Sequence, residues 1–177
     1  MIDVKLLSGA LGAEISGIDL TDVSDENFRK INNLLLEHKV IFFRDQDMTP
    51  EEQITFVSRF GEPDIYPFVR GLDNYPQITP VLKLPDETVN FGGIWHSDTV
   101  YMDKPPMGTI LYAKELPPMG GDTLFANTAA AYAALPTDLK GRLDGRRTTH
   151  SYEAKHARRA QEGKSNRKPI TQAKRDS

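Results

Sequence analysis

A mainly β domain with helices packed on its outside is the fold class the sequence predicts, and three stretches predict it. Val40-Ile41-Phe42-Phe43 is an unbroken apolar run of β-branched and aromatic residues, the pattern of a buried strand. Residues 107–116 lie between Pro105-Pro106 and Pro117-Pro118, hold no proline and carry no charge before Lys114. That fits the interior of a strand covered on both faces. Two capped amphipathic segments, residues 25–37 and 50–60, supply helices to shield such a sheet.

The elements follow in chain order. Residues 2–20 read as short strands and turns, with imperfect alternation over residues 13–20 and glycines marking bends. Ser24 caps a helix over residues 25–37, where Phe28, Ile31, Leu34 or Leu35, and His38 recur at helical spacing. Acids in its first turn and Lys39 at its end suit the helix dipole, and His38 reads as a packing or capping residue. After the strand at 40–43, Thr49-Pro50-Glu51-Glu52 forms a capping box with proline at the first helical position. Ile54, Phe56, Val57 and Phe60 give that helix its apolar face, and Gly61 is its expected C-cap. Residues 61–89 are rich in proline and loop-like, with a strand expected at 78–84. Beyond the strand at 107–116, Gly120-Gly121-Asp122 makes a turn and residues 123–126 a second strand, so a hairpin is expected. Asn127 or Thr128 caps a helix over 129–135, stopped by Pro136. Thr137 caps another over 138–143, closed by Gly145, and residues 146–152 are expected to be extended.

The composition limits what the chain can do. Its 177 residues suffice for one domain with a core, and 38% hydrophobic with 27% charged residues suits a globular protein. No apolar run is long enough for a transmembrane helix, and the N-terminus has no signal-peptide pattern. Without cysteine there is no disulfide, no thiolate nucleophile and no Cys-ligated metal, so a cytoplasmic location is expected. A metal must then rely on the four histidines and the carboxylates. Charge is uneven: residues 1–137 hold 10 Lys and Arg against 20 Asp and Glu, and residues 138–177 hold 12 against 5. No aromatics interleave with the basic residues, which favours a solvated tail over a nucleic-acid surface. The division expected is a core over residues 1–152 and a basic, flexible tail or lid over 153–177.

The chemistry concentrates in residues 91–127. His96-Ser97-Asp98 follows the single tryptophan, Trp95. In an extended segment, residues i and i+2 face one way, so an imidazole and a carboxylate would converge. Those are two of the three ligands in the two-His, one-carboxylate triad that holds non-haem Fe(II). Taken alone, the triplet is more often a surface histidine beside an acid; the surrounding residues raise the metal reading. A cupin-like site would need more histidines, and no other lies within fifty residues of His96. In the proline-rich loop, Tyr66, Arg70 and Asn90 are candidate substrate contacts.

Trp95-His96-Ser97-Asp98-Thr99, Pro106-Met107-Gly108 and residues 120–127 (GGDTLFAN) together resemble the TauD/TfdA family of Fe(II)- and 2-oxoglutarate-dependent dioxygenases. Residues 11–20, 38–46 and 60–63 are similar to that family's opening segments, so the resemblance covers roughly residues 4–150. It implies a double-stranded β-helix, a jelly roll of the clavaminate synthase-like type, with helices outside. It implies His96 and Asp98 as iron ligands and Thr123 as the hydroxyl that binds the distal carboxylate of 2-oxoglutarate. The implied reaction hydroxylates a small sulfonate, sulfate ester or carboxylate with O2, releasing succinate and CO2. Nucleic acid and membrane are not expected partners. The family's distal histidine ligand and its 2-oxoglutarate-binding arginine have no match here, since His150 and His156 are the only later histidines. The jelly roll is therefore expected to be incomplete at its C-terminus, and the chain alone to turn over little. The alternative is a non-catalytic remnant acting as an interaction or homo-dimer module through open sheet edges.

Overall fold

The computed structural model describes residues 2–84 and 93–151. Four helices and three strands occur among them: β1 (Asp3–Leu6), β2 (Ala13–Ser16), α1 (Asp25–His38), β3 (Ile41–Phe43), α2 (Pro50–Ser58), α3 (Thr128–Ala133) and α4 (Thr137–Leu143). The chain divides into two compact units, Met1–Glu62 with Gly108–Arg146, and Pro63–Met107 with Arg147–Ser177. Of the second, residues 63–84, 93–107 and 147–151 are described.

The strands and helices all lie in the first unit. Its sheet has the order β1-β2-β3, with β1 antiparallel to β2 and β2 parallel to β3. The parallel pair needs a crossover, and α1 provides it. Ala13 and Ile15 face inward from β2 and are buried, as the strand's two-residue period requires. Leu20, Ile31, Met48 and Phe56 form the core, with Ile18, Val23, Phe28, Ile41, Phe43, Phe60 and Tyr112 packed against it.

The helix signals act as read in most places. Ser24 Oγ accepts from Asn27 N at the start of α1, and Lys39 closes it at φ 68° and ψ −32°, its N–H donating to Leu35 O. Thr49 and Glu52 form both bonds of the capping box on α2. His38 packs at the end of α1, where its carbonyl accepts from Gly12 N and Val40 N. Three boundaries differ. The last residue of α2 is Ser58 and its C-cap is Arg59, so the helix ends before Gly61. Asn127, not Thr128, caps α3: its Oδ1 accepts from Ala130 N, and its Nδ2 donates to Ala10 O. Thr137 is inside α4, whose N-cap is Pro136 with no side-chain bond.

The larger corrections concern strands. Among the described residues, 107–116 and 123–126 form no ladder, nor do 78–84 or 146–151. Leu111, Leu116 and Leu124 are each more than 70% exposed, so the face expected to be covered is open. β3 is half-buried along its length instead of buried. A strand is defined by hydrogen bonds to a neighbour, and apolar pattern alone supplies none. Within residues 72–78 the chain turns back instead, with Leu72 N donating to Ile78 O and Ile78 N to Tyr75 O. The turn at Gly120-Gly121 forms, with both residues at positive φ of 82° and 75°.

One long-range clasp holds the first unit together. The Tyr112 hydroxyl accepts from Met48 N at 3.1 Å and donates to Gln46 O at 3.1 Å. Gln46 in turn accepts from Leu20 N and donates to Ile18 O. Tyr112→Phe leaves the half-buried Met48 N–H without this acceptor, and should lower the unit's unfolding free energy by about 1–3 kcal/mol. Urea melts of the two proteins check it.

Candidate metal centre

The His-x-Asp triplet lies in the second unit, on a stretch that is not a strand. Its two side chains meet nonetheless, so the convergence expected from an extended segment comes from bends. His96 Nε2 stands 2.9 Å from Asp98 Oδ1. On the other side of the ring, Nδ1 is 2.7 Å from the Ile94 carbonyl oxygen. A carbonyl only accepts, so in the neutral ring Nδ1 carries the proton and Nε2 presents its lone pair. That backbone bond fixes both tautomer and ring orientation, as in metal-binding histidines generally.

The separation suits a shared metal. Two donors each about 2.1 Å from an ion, at a right angle, stand about 3 Å apart. In the imidazolium form, where both ring nitrogens donate, an Nε2–H···Oδ1 bond spans the same distance. The side chains are 39% and 59% exposed, which leaves them open to an ion from solvent. An imidazole nitrogen with a carboxylate oxygen is a donor pair that ferrous iron accepts. Among the described residues, no third His, Asp or Glu joins them.

After Asp98 the chain reverses. Thr99 is at φ 51°, and Met102 N donates to Thr99 O at 2.9 Å. Tyr101, inside that turn, packs edge-on against Phe68 with centroids 5.9 Å apart, and Phe68 packs likewise on Tyr66 at 5.6 Å. Tyr66 is thus joined through Phe68 to the turn that follows the triplet. Arg70 is paired with Asp73 at 2.5 Å. Asn90 lies outside the described residues, as does His156, and His150 is exposed. Thr123 belongs to the first unit, where it is exposed just after the double-glycine turn and two residues before Phe125, whose ring packs on Phe42. Trp95 is 68% exposed, so it is no core residue. Sequence reasoning passed over Thr99 and Tyr101. The ring of Tyr101 was legible as an aromatic three residues after Asp98, whereas nothing in a threonine's identity signals a left-handed backbone.

Comparison with known proteins bears on what this site serves. The model of the family described as taurine catabolism dioxygenase TauD, TfdA matches residues 3–176. The chain is 35% identical, over 158 residues, to an alpha-ketoglutarate-dependent sulfate ester dioxygenase of Pseudomonas putida, covering 88% of this chain and 52% of the relative. It is 32% identical, over 157 residues, to a (S)-phenoxypropionate/alpha-ketoglutarate-dioxygenase of Sphingobium herbicidovorans, covering 84% and 53%. Among solved structures, a taurine dioxygenase from Burkholderia xenovorans superposes with a TM-score of 0.69 at 34% identity, covering 81% of this chain and 52% of that one. The chain spans about half the length of the curated relatives it matches.

Proposed function

Because this chain belongs to the taurine catabolism dioxygenase TauD, TfdA family, we propose that the protein is an Fe(II)- and 2-oxoglutarate-dependent dioxygenase. Its substrate is a small organic sulfonate, sulfate ester or carboxylate, the classes named for its relatives. The observation that carries the reading is the 2.9 Å approach of His96 Nε2 to Asp98 Oδ1. These two residues hold the iron. Bound there with 2-oxoglutarate, iron supplies the oxidation that hydroxylates the substrate and releases succinate and CO2.

The chain's own residues do the rest. The Ile94 carbonyl keeps Nε2 of His96 available to the metal. The Thr123 hydroxyl, on an exposed turn, donates to the distal carboxylate of 2-oxoglutarate. Tyr66 and Asn90 contact the substrate. In this reading the fold is a jelly roll of the clavaminate synthase-like type, of which residues 1–152 form part and the basic residues 153–177 a tail. The protein works in the cytoplasm on a small molecule and O2, with no nucleic acid or membrane partner. Among the described residues no helix is long and apolar enough to cross a membrane.

The test is calorimetric titration of 2-oxoglutarate into the protein with and without Fe(II) under anaerobic conditions, followed by succinate release with taurine, an alkyl sulfate and a phenoxypropionate. Binding that requires the metal and is lost in Asp98→Asn is expected. Binding indifferent to the metal, with no succinate on any substrate, would overturn the assignment.

A further inference from the structure

Three residues other than glycine have positive φ among the described residues: Lys39, Asp45 and Thr99. Lys39 closes α1 inside a three-residue turn in which Val40 N donates to His38 O, and aspartate tolerates positive φ. Thr99 has neither excuse. It is β-branched, it ends no helix, and its φ of 51° puts its branched Cβ against its own backbone. Such a residue persists only where its surroundings hold it on both sides. Here they do. On one side the His96 ring is fastened to the Ile94 carbonyl and approaches Asp98. On the other, the Met102 N–H to Thr99 O bond closes a turn, and Tyr101 anchors that turn to Phe68.

We propose that Thr99 is a positioning residue: its left-handed backbone turns the chain immediately after Asp98, and so holds the carboxylate at the separation from His96 that one metal ion spans. The role belongs to the backbone, not to the threonine hydroxyl. An extended Thr99 would carry the chain onward and release Asp98 from this geometry. The proposal rests on His96 and Asp98 being metal ligands.

Val100 offers a way to move Thr99 without touching it. Val100 is exposed and follows Thr99 as the first central residue of the turn, a place where proline is favoured. A proline there pushes the preceding residue toward extended backbone. The experiment titrates Co(II) into the full chain and follows its visible absorption, which reports coordination geometry as well as affinity. Val100→Pro should weaken binding at least about tenfold and alter the spectrum. Adding Thr99→Gly to Val100→Pro should restore affinity to within about threefold, since glycine adopts positive φ freely. Thr99→Val, which keeps the branched carbon and lacks the hydroxyl, should stay within about twofold of wild type. Wild-type affinity and spectrum in Val100→Pro, no rescue by glycine, or a tenfold loss in Thr99→Val would each overturn the proposal. Should circular dichroism show Val100→Pro unfolded, Thr99→Gly alone decides: affinity equal to or above wild type supports the role, and a tenfold loss sinks it. His96→Ala and Asp98→Ala separate the two levels. If neither changes Co(II) binding, the metal reading itself fails; if both abolish it while Val100→Pro is silent, only the role of Thr99 fails.

Discussion

His96→Ala lowers the affinity for Fe(II) by at least about a hundredfold, while the unfolding free energy changes by less than about 0.5 kcal/mol. The two effects separate because of where the side chain sits. The ring is 39% exposed, so its removal opens no cavity. Ile94, whose carbonyl it leaves, is 52% exposed, so water takes the ring's place there. Affinity, in contrast, depends on two donors acting at once. With the imidazole gone, Asp98 offers a single carboxylate, and one such ligand holds iron far less firmly than two donors acting together. Anaerobic Fe(II) titration beside a urea melt measures both quantities. Comparable Fe(II) affinity in wild type and variant would remove the basis of the functional reading.

Phe56→Ala has the reverse profile: it costs the first unit about 3–5 kcal/mol and leaves metal affinity untouched. Phe56 is 5% exposed, one of the four buried residues of the core cluster among the described residues. It packs edge-on against Phe60 at 5.5 Å, and Phe60 against Phe28 at 4.7 Å, with the Arg59 guanidinium over Phe28 at 4.4 Å. Removing the first ring opens a void beneath the whole row. With native stabilities of about 5–15 kcal/mol, that loss takes a large share. Leu36→Ala is the control: at 55% exposure on α1 it should move the midpoint little. A Phe56→Ala shift below about 1 kcal/mol would mean that this cluster is not what holds the unit together.

The sequence was most legible where a local rule decides the outcome. Ser24, the Thr49–Glu52 box and Asn127 satisfy nearby N–H groups, and no distant residue is needed for that. It was least legible where two segments must agree. The proline-bracketed run at 107–116, uncharged as far as Lys114, is real, yet a ladder needs a neighbour, and none pairs with it among the described residues. At the candidate site, the pairing of His96 with Asp98 was readable from spacing, although bends, not a strand, bring the two together. Neither the Ile94 carbonyl behind His96 nor the left-handed Thr99 beyond Asp98 has a signature in residue type, because both are properties of backbone path.

The hydroxyl clasp of Tyr112 sets an order of events during synthesis. It grips Met48 and Gln46 from 64 and 66 positions further along the chain. At about 5–20 residues per second, a ribosome that has made Met48 needs roughly 3–13 s more to add Tyr112. Through that interval the nascent sheet and its two helices wait with the Gln46–Met48 corner unfastened, and a chaperone that binds exposed apolar chain has its window there.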